Sequence, residues 1–206
     1  MRRKRMELFK KIITTVLAAL LLTSCSSMNS GITVGDKEFS INDIQKPVDE
    51  ILEARKSIDT SQMQLGSGAD LIRNQAQFAV ISVLLDQIAS DSKINFTNAD
   101  IATRRTEIVA QVGGEAGLPR ALVSSNLAPS NLEPYIKVRL IIDKLNSDFI
   151  ELGASPEQAS EGVSKLLVAA AKKLGVKVNP KYGTWNPMTA SIESGDITDG
   201  AVTPAP

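Results

Sequence analysis

Four times in this chain a serine or threonine stands three residues ahead of Asp, Glu or Gln, just before an apolar segment of helical period. The four are Ser40-x-x-Asp43, Thr97-x-x-Asp100, Ser130-x-x-Glu133 and Ser155-x-x-Gln158. In such a capping box the hydroxyl accepts the N–H of the third helical residue, whose own side chain accepts the N–H of the cap. Two otherwise orphaned donors of the first turn are thereby satisfied. The last box also carries Pro156 at the first helical position, where a missing N–H costs nothing. The chain is therefore committed to helices, which the apolar spacing places at 41–58, 70–92, from 98 to Gly113-Gly114, a short stretch from Pro119, 131–152 and 156–174. Gly175 then supplies the C-terminal cap.

The spacing also predicts which faces turn inward. Ile44, Val48, Ile51, Leu52 and Arg55 share a stripe on the first helix, and Leu71, Phe78, Ile81, Leu85 and Ile88 one on the second. Ile101, Ile108 and Val112 face inward on the third. The 131–152 segment is the most apolar, with Tyr135, Val138, Ile141, Ile142, Leu145, Phe149 and Leu152. Val163, Leu166, Leu167 and Ala170 follow on the last helix. Aromatic residues make up only 4% of the chain, so aliphatic side chains must build the core, with Phe78, Tyr135 and Phe149 expected to join it. Two β-prone stretches flank the helices: "ITVGDKEFS", turning at Gly35-Asp36, and "VKVNPKYGTW". The economical fold is mainly α, with residues 32–40 pairing with 176–185 so that the ends of the domain meet. A small sheet is marginal alone and must pack on a helix face. From residue 188 the sequence lacks periodicity and reads as a disordered tail through 206.

The first 24 residues form a different unit. Arg2, Arg3, Lys4, Arg5, Lys10 and Lys11 give a positive start, and residues 12–22 an apolar run broken only by Thr14 and Thr15. A bilayer core of ~30 Å needs roughly 20 apolar residues, so this run has the length of a secretory signal instead. It ends at Cys25, the single cysteine of the chain, in "LTSC". Those four residues resemble the lipobox of bacterial lipoproteins, which implies cleavage before Cys25 and a diacylglycerol thioether on its sulfur. The competing reading is an uncleaved anchor helix. Acyl chains at ~0.8 kcal/mol per buried methylene would hold the protein on the extracytoplasmic face of a membrane. Residues 25–31, small and polar, form the tether.

Residues 1–24 hold six of the 23 basic and one of the 23 acidic residues, which leaves 17 and 22, a formal charge of −5. That balance argues against a nucleic-acid surface and against broad attraction to anionic lipid. A chain without histidine has neither imidazole acid–base catalysis nor imidazole metal ligation. The carboxylates Asp49, Glu50, Glu53, Asp86, Asp91 and Asp100 are scattered over solvated helix faces, and the glycine pairs lack the strand–loop–helix setting of a phosphate loop. No enzyme and no cofactor is expected.

The order "ITVGDKEFSINDIQ", "LIRNQAQFAVISVLLDQIASDSKINFTNADI", "GGEAGLPRALVSSNLAPSNLEPYIKVRLIIDKL" and "LGVKVNPKYGTWNP" resembles the helical N-terminal domain of SurA-type and PrsA-type extracytoplasmic chaperones over residues 32–187. Members of that family often carry a parvulin isomerase domain of about 90 residues. No spare segment of that size exists here, and the histidine pair typical of a parvulin site has no counterpart. The resemblance thus implies a chaperone-like lipoprotein without isomerase activity, whose partners are unfolded secreted polypeptides. The alternative is a structural lipoprotein of the cell envelope with one dedicated partner. Candidate peptide contacts are Met63 and Leu65 in a polar loop, where methionine adapts to varied partners, and Tyr182 and Trp185 around Gly183. Each of the four has a competing role in covering the domain's own core. Two terminal strands closing one small sheet also leave a strand-exchanged homodimer open.

Overall fold

A computed structural model of the chain describes residues 30–195. Strands β1 (Ser30–Val34) and β2 (Lys37–Ser40) form a hairpin over Gly35, whose φ of 58° suits glycine. Six helices follow: α1 (Ile41–Lys56), α2 (Gly68–Asp91), α3 (Asn98–Gln111), α4 (Leu118–Ser124), α5 (Leu132–Glu151) and α6 (Pro156–Leu174). Then come β3 (Val176–Val178), a 3₁₀ turn at Pro180–Tyr182, β4 (Thr184–Asn186) and β5 (Ser191–Glu193). The fold is mainly α with short strands, as the sequence predicts. Strand β1 takes in Ser30 and Gly31, which the sequence reading assigns to the tether; residues 25–29 lie outside the described residues.

Three of the four capping boxes form. Ser40, Thr97 and Ser155 each accept from the third residue of their helix, and Asp43, Asp100 and Gln158 each accept the cap N–H. The fourth does not. Residues 129–131 wind into a 3₁₀ turn, α5 starts from Asn131 without a side-chain cap, and the Ser130 N–H donates instead to Glu50 Oε2 on α1 at 3.1 Å. A carboxylate from 80 residues away wins over the local partner.

The ends meet as expected. Ile32 pairs with Val178 and Val34 with Val176, antiparallel, giving the order β2-β1-β3. Residues 184–186 do not extend that sheet; they pair with β5, with Trp185 opposite Ile192. The tail expected from residue 188 is therefore ordered through Glu193. Gly183, at φ 127°, makes this closure feasible, since a Cβ there would lie 2.1 Å from the Glu193 carbonyl oxygen. Residues 196–206 lie outside the described residues.

α2 is the axis of the core. Ala76, Val80, Leu84, Leu85 and Ile88 from it meet Ile141 and Leu145 of α5, Val163, Ala170 and Ala171 of α6, and Ile32 and Val34 of the sheet. A second cluster, Val48, Ile51, Leu71 and Ala128, joins α1 to the start of α2. α5 and α6 approach closely because Gly162 leaves room for the Phe149 ring, which a Cβ would meet at 2.7 Å. Of the aromatics expected in the core, Phe78 and Phe149 pack half-buried against it, Tyr135 is half-buried beside the bundle, and Leu152 is 86% exposed.

Candidate functional site

α3 is held against the bundle differently from its neighbours. Its capping box at Thr97 starts it firmly, yet Ile101 and Ile108, expected to face inward, reach only half-burial, as does Val112 just past its end. The composition explains this: Thr103, Arg104, Arg105 and Thr106 share the helix with only Ile101, Ile108 and Val109 as large apolar side chains, too little apolar surface to seal it into a core.

Grooves flank it as a result. One, of about 610 Å³, runs between Asn98, Ile101, Ala102 and Arg105 of α3 and Pro129, Leu132, Glu133 and Ile136 at the start of α5. A second, of about 430 Å³, lies between Ile108 and Val112 on one side and Leu118, Leu122, Leu127 and Tyr135 on the other. Leu132 lines both, so they adjoin along α3. Aliphatic and charged or polar side chains share the lining of both in about equal measure. Arg104 Nη2 pairs with Asp143 Oδ2 of α5 at 2.7 Å, and Arg105 holds both oxygens of Glu115 at 2.7 and 3.1 Å. These hydrogen bonds hold the Glu115 carboxyl below its ordinary range and raise the Arg105 guanidinium. A cleft that mixes apolar surface with a few fixed charges can receive a ligand that is itself partly apolar. Among the described residues no three Cys, Asp or Glu side chains come together to hold a metal, and no helix is long and apolar enough to cross a membrane.

The residues singled out from sequence fall in two other places. Met63 and Leu65 are half-buried in the loop ahead of α2. That loop is pinned by Arg55, whose Nη2 donates to the Gly66 carbonyl at 2.7 Å and to Asn126 Oδ1 at 2.6 Å. Gln75, the one buried polar side chain among the described residues, donates to the Asn126 carbonyl at 3.0 Å and accepts from Asn131. Tyr182 and Trp185 lie instead after β3, where the turn at Pro180–Tyr182 meets α2. Tyr182 is 2% exposed, so it cannot grip a peptide; burial raises its phenol, and the hydroxyl has no partner among the described residues. Trp185 packs half-buried on the core. The structure thus separates the two pairs and adds the α3 grooves, whose one sequence signal was a helix with a thin apolar stripe beside a glycine pair. Cys25 lies outside the described residues. Comparison with protein-family models, curated proteins and solved structures finds no match to this chain.

Proposed function

We propose that this chain is a membrane-anchored, extracytoplasmic chaperone-like lipoprotein that binds unfolded or partly folded secreted polypeptides and has no isomerase activity. The observation that carries the reading is the pair of adjoining grooves along α3, meeting at Leu132 and lined by aliphatic side chains together with charged ones. The signal-like N-terminus with Cys25 and the resemblance of residues 32–187 to SurA-type and PrsA-type helical domains support it.

A client segment gains about 25 cal/mol for each Å² of apolar area it buries, and gives back much of that in ordering itself. Affinity is therefore modest, which suits release without a nucleotide cycle. A net negative surface keeps the loaded complex soluble. The anchor at Cys25 holds the groove within a short tether of the membrane, where secreted chains emerge.

The test uses residues 26–206 at stoichiometric ratios with several unrelated aggregating clients, followed by light scattering against an inert protein of the same size. Suppression for several clients supports the proposal, and Leu132→Asp, which places a charge where the grooves meet, reduces it. No suppression for any client refutes general chaperoning, and capture of a single envelope protein would favour a dedicated structural partner.

A further inference from the structure

Of the six α-helices among the described residues, α3 alone buries no side chain. Its one extended contact is with α5. Clefts lie on both sides of Ile101: the groove at Leu132, and a smaller one of about 220 Å³ shared with Asp86, Lys137 and Val138. Left-handed backbone brackets the helix, at Lys93 with φ 56° before it and at Gly113 and Gly114 with φ 88° and 85° after it. A Cβ at either glycine would meet nothing within 4 Å, so the chain there is uncrowded. Both turns are helix C-caps, closed by the Ile94 N–H on the Ala89 carbonyl and the Gly114 N–H on the Val109 carbonyl, each at 2.8 Å, and a hinge uses such element-terminal positions.

One ion pair among the described residues joins α3 to α5, that of Arg104 and Asp143. Both side chains are partly exposed, at 32% and 41%, and Asp143 is shared with Arg139 at 3.4 Å. The Arg105–Glu115 pair ties α3 to the loop that follows it, not to the bundle, so helix and loop travel together.

We propose that α3 is a hinged clamp, latched to α5 by Arg104–Asp143, and that a client segment displaces it by taking the place of Ile101 and Ile108 against Leu132 and Tyr135. This rests on the chaperone reading of the groove and specifies how that site opens. The physical basis is competition for one surface: α3 half-buries its isoleucines there, and a client that buries more apolar area wins the contact. A segment with few buried contacts and one exposed latch belongs to the low-stability end of a fold.

Amide hydrogen exchange on the full-length chain in mild detergent tests the clamp without any client. The amides of α3 should exchange faster than those of α5. Arg104→Gln and Asp143→Asn should each raise α3 exchange about two- to five-fold, the range of an exposed ion pair. The double variant should go no further, and α5 should not change. Reduced, alkylated α-lactalbumin is then added as the client, and α3 exchange should rise again while the latch variants bind it more tightly. Protection of α3 equal to that of α5, or acceleration of both helices together, overturns the clamp. So does a client that slows α3 exchange, because it then binds over the helix and not beneath it. Fast, latch-sensitive exchange with no client bound supports the hinge and overturns the chaperone reading instead.

Discussion

Replacing Gln77 by alanine should release the C-terminal hairpin. The Gln77 amide on α2 makes both halves of one clasp: its Nε2 donates to the Ala190 carbonyl at 2.9 Å, and its Oε1 accepts the Ile192 N–H at 2.6 Å. Ala190 and Ile192 are buried, at 2% and 7% exposure, so alanine at 77 strands one backbone acceptor and one donor away from water. Each such orphan costs about 1–3 kcal/mol. The two lie on a surface hairpin that relaxes, so the lower end applies and the sum is about 2–3 kcal/mol. The penalty is capped by the free energy that docks the hairpin, because beyond it β4 and β5 simply lift off. A loss of 2–3 kcal/mol moves the docked-to-undocked ratio by roughly 30- to 150-fold, since 1.4 kcal/mol is a factor of ten. Trp185, the single tryptophan, sits in β4 opposite Ile192 and reports this directly. Its emission should shift to the red and its acrylamide quenching rise before the helices melt in urea. Gln77→Glu, which keeps the acceptor and loses the donor, should fall between. Unchanged Trp185 emission in Gln77→Ala, with a stability loss under about 0.5 kcal/mol, would refute the clasp.

Tyr182→Phe removes a buried hydroxyl that has no partner among the described residues, and should raise stability in urea by up to about 1 kcal/mol. Burial lifts that phenol above its ordinary value of 10.0, so its contribution is present below the unfolded value and lost as pH rises through the folded one. Alkaline titration of stability should fall less in Tyr182→Phe than in the parent. Ser155→Ala should cost about 1 kcal/mol, whereas Ser130→Ala, in a motif of the same form, should cost almost nothing in helix capping, as measured by urea midpoints. With no histidine, thermal midpoints should be flat from about pH 5 to 8. They should fall on the acid side. The Ser40 hydroxyl and N–H hold Asp43 below its ordinary 3.8, and the Thr97 N–H and hydroxyl do the same for Asp100. Both contributions are present above the unfolded value and lost as pH drops through the folded one, and Asp43→Asn should blunt the decline.

Where structure is decided locally, the residues announce it. Ser40, Thr97 and Ser155 mark helix starts to the residue, Gly35 the hairpin and Gly175 the end of α6. Where a distant group decides, they do not. Ser130-x-x-Glu133 has the same form as its neighbours, but Glu50 claims the Ser130 N–H across 80 positions. Residues 191–193 are too short for alternation to show, and what orders them is a glutamine on α2. Tyr182 and Trp185 were legible as aromatic and β-prone, with covering the core as one of two open roles; the choice for Tyr182 is made by the fold closing over it. The grooves escaped for the opposite reason. Ile101 and Ile108 obey the helical period, and periodicity does not say whether a stripe meets a sealed core or a half-open one.

The antiparallel match of Ile32 with Val178 has a mechanical corollary. It sets the N-terminal end of β1 beside the C-terminal end of β3, where the Asn179 N–H donates to the Gly31 carbonyl at 2.9 Å. A pull on the chain through Ser30 therefore loads the rungs of that ladder one after another, as a zipper does, and not all together in shear. The sheet should peel at low force while the helices, which carry none of the load until β1 is gone, keep their packing. A tug at Ser30 would be absorbed there first.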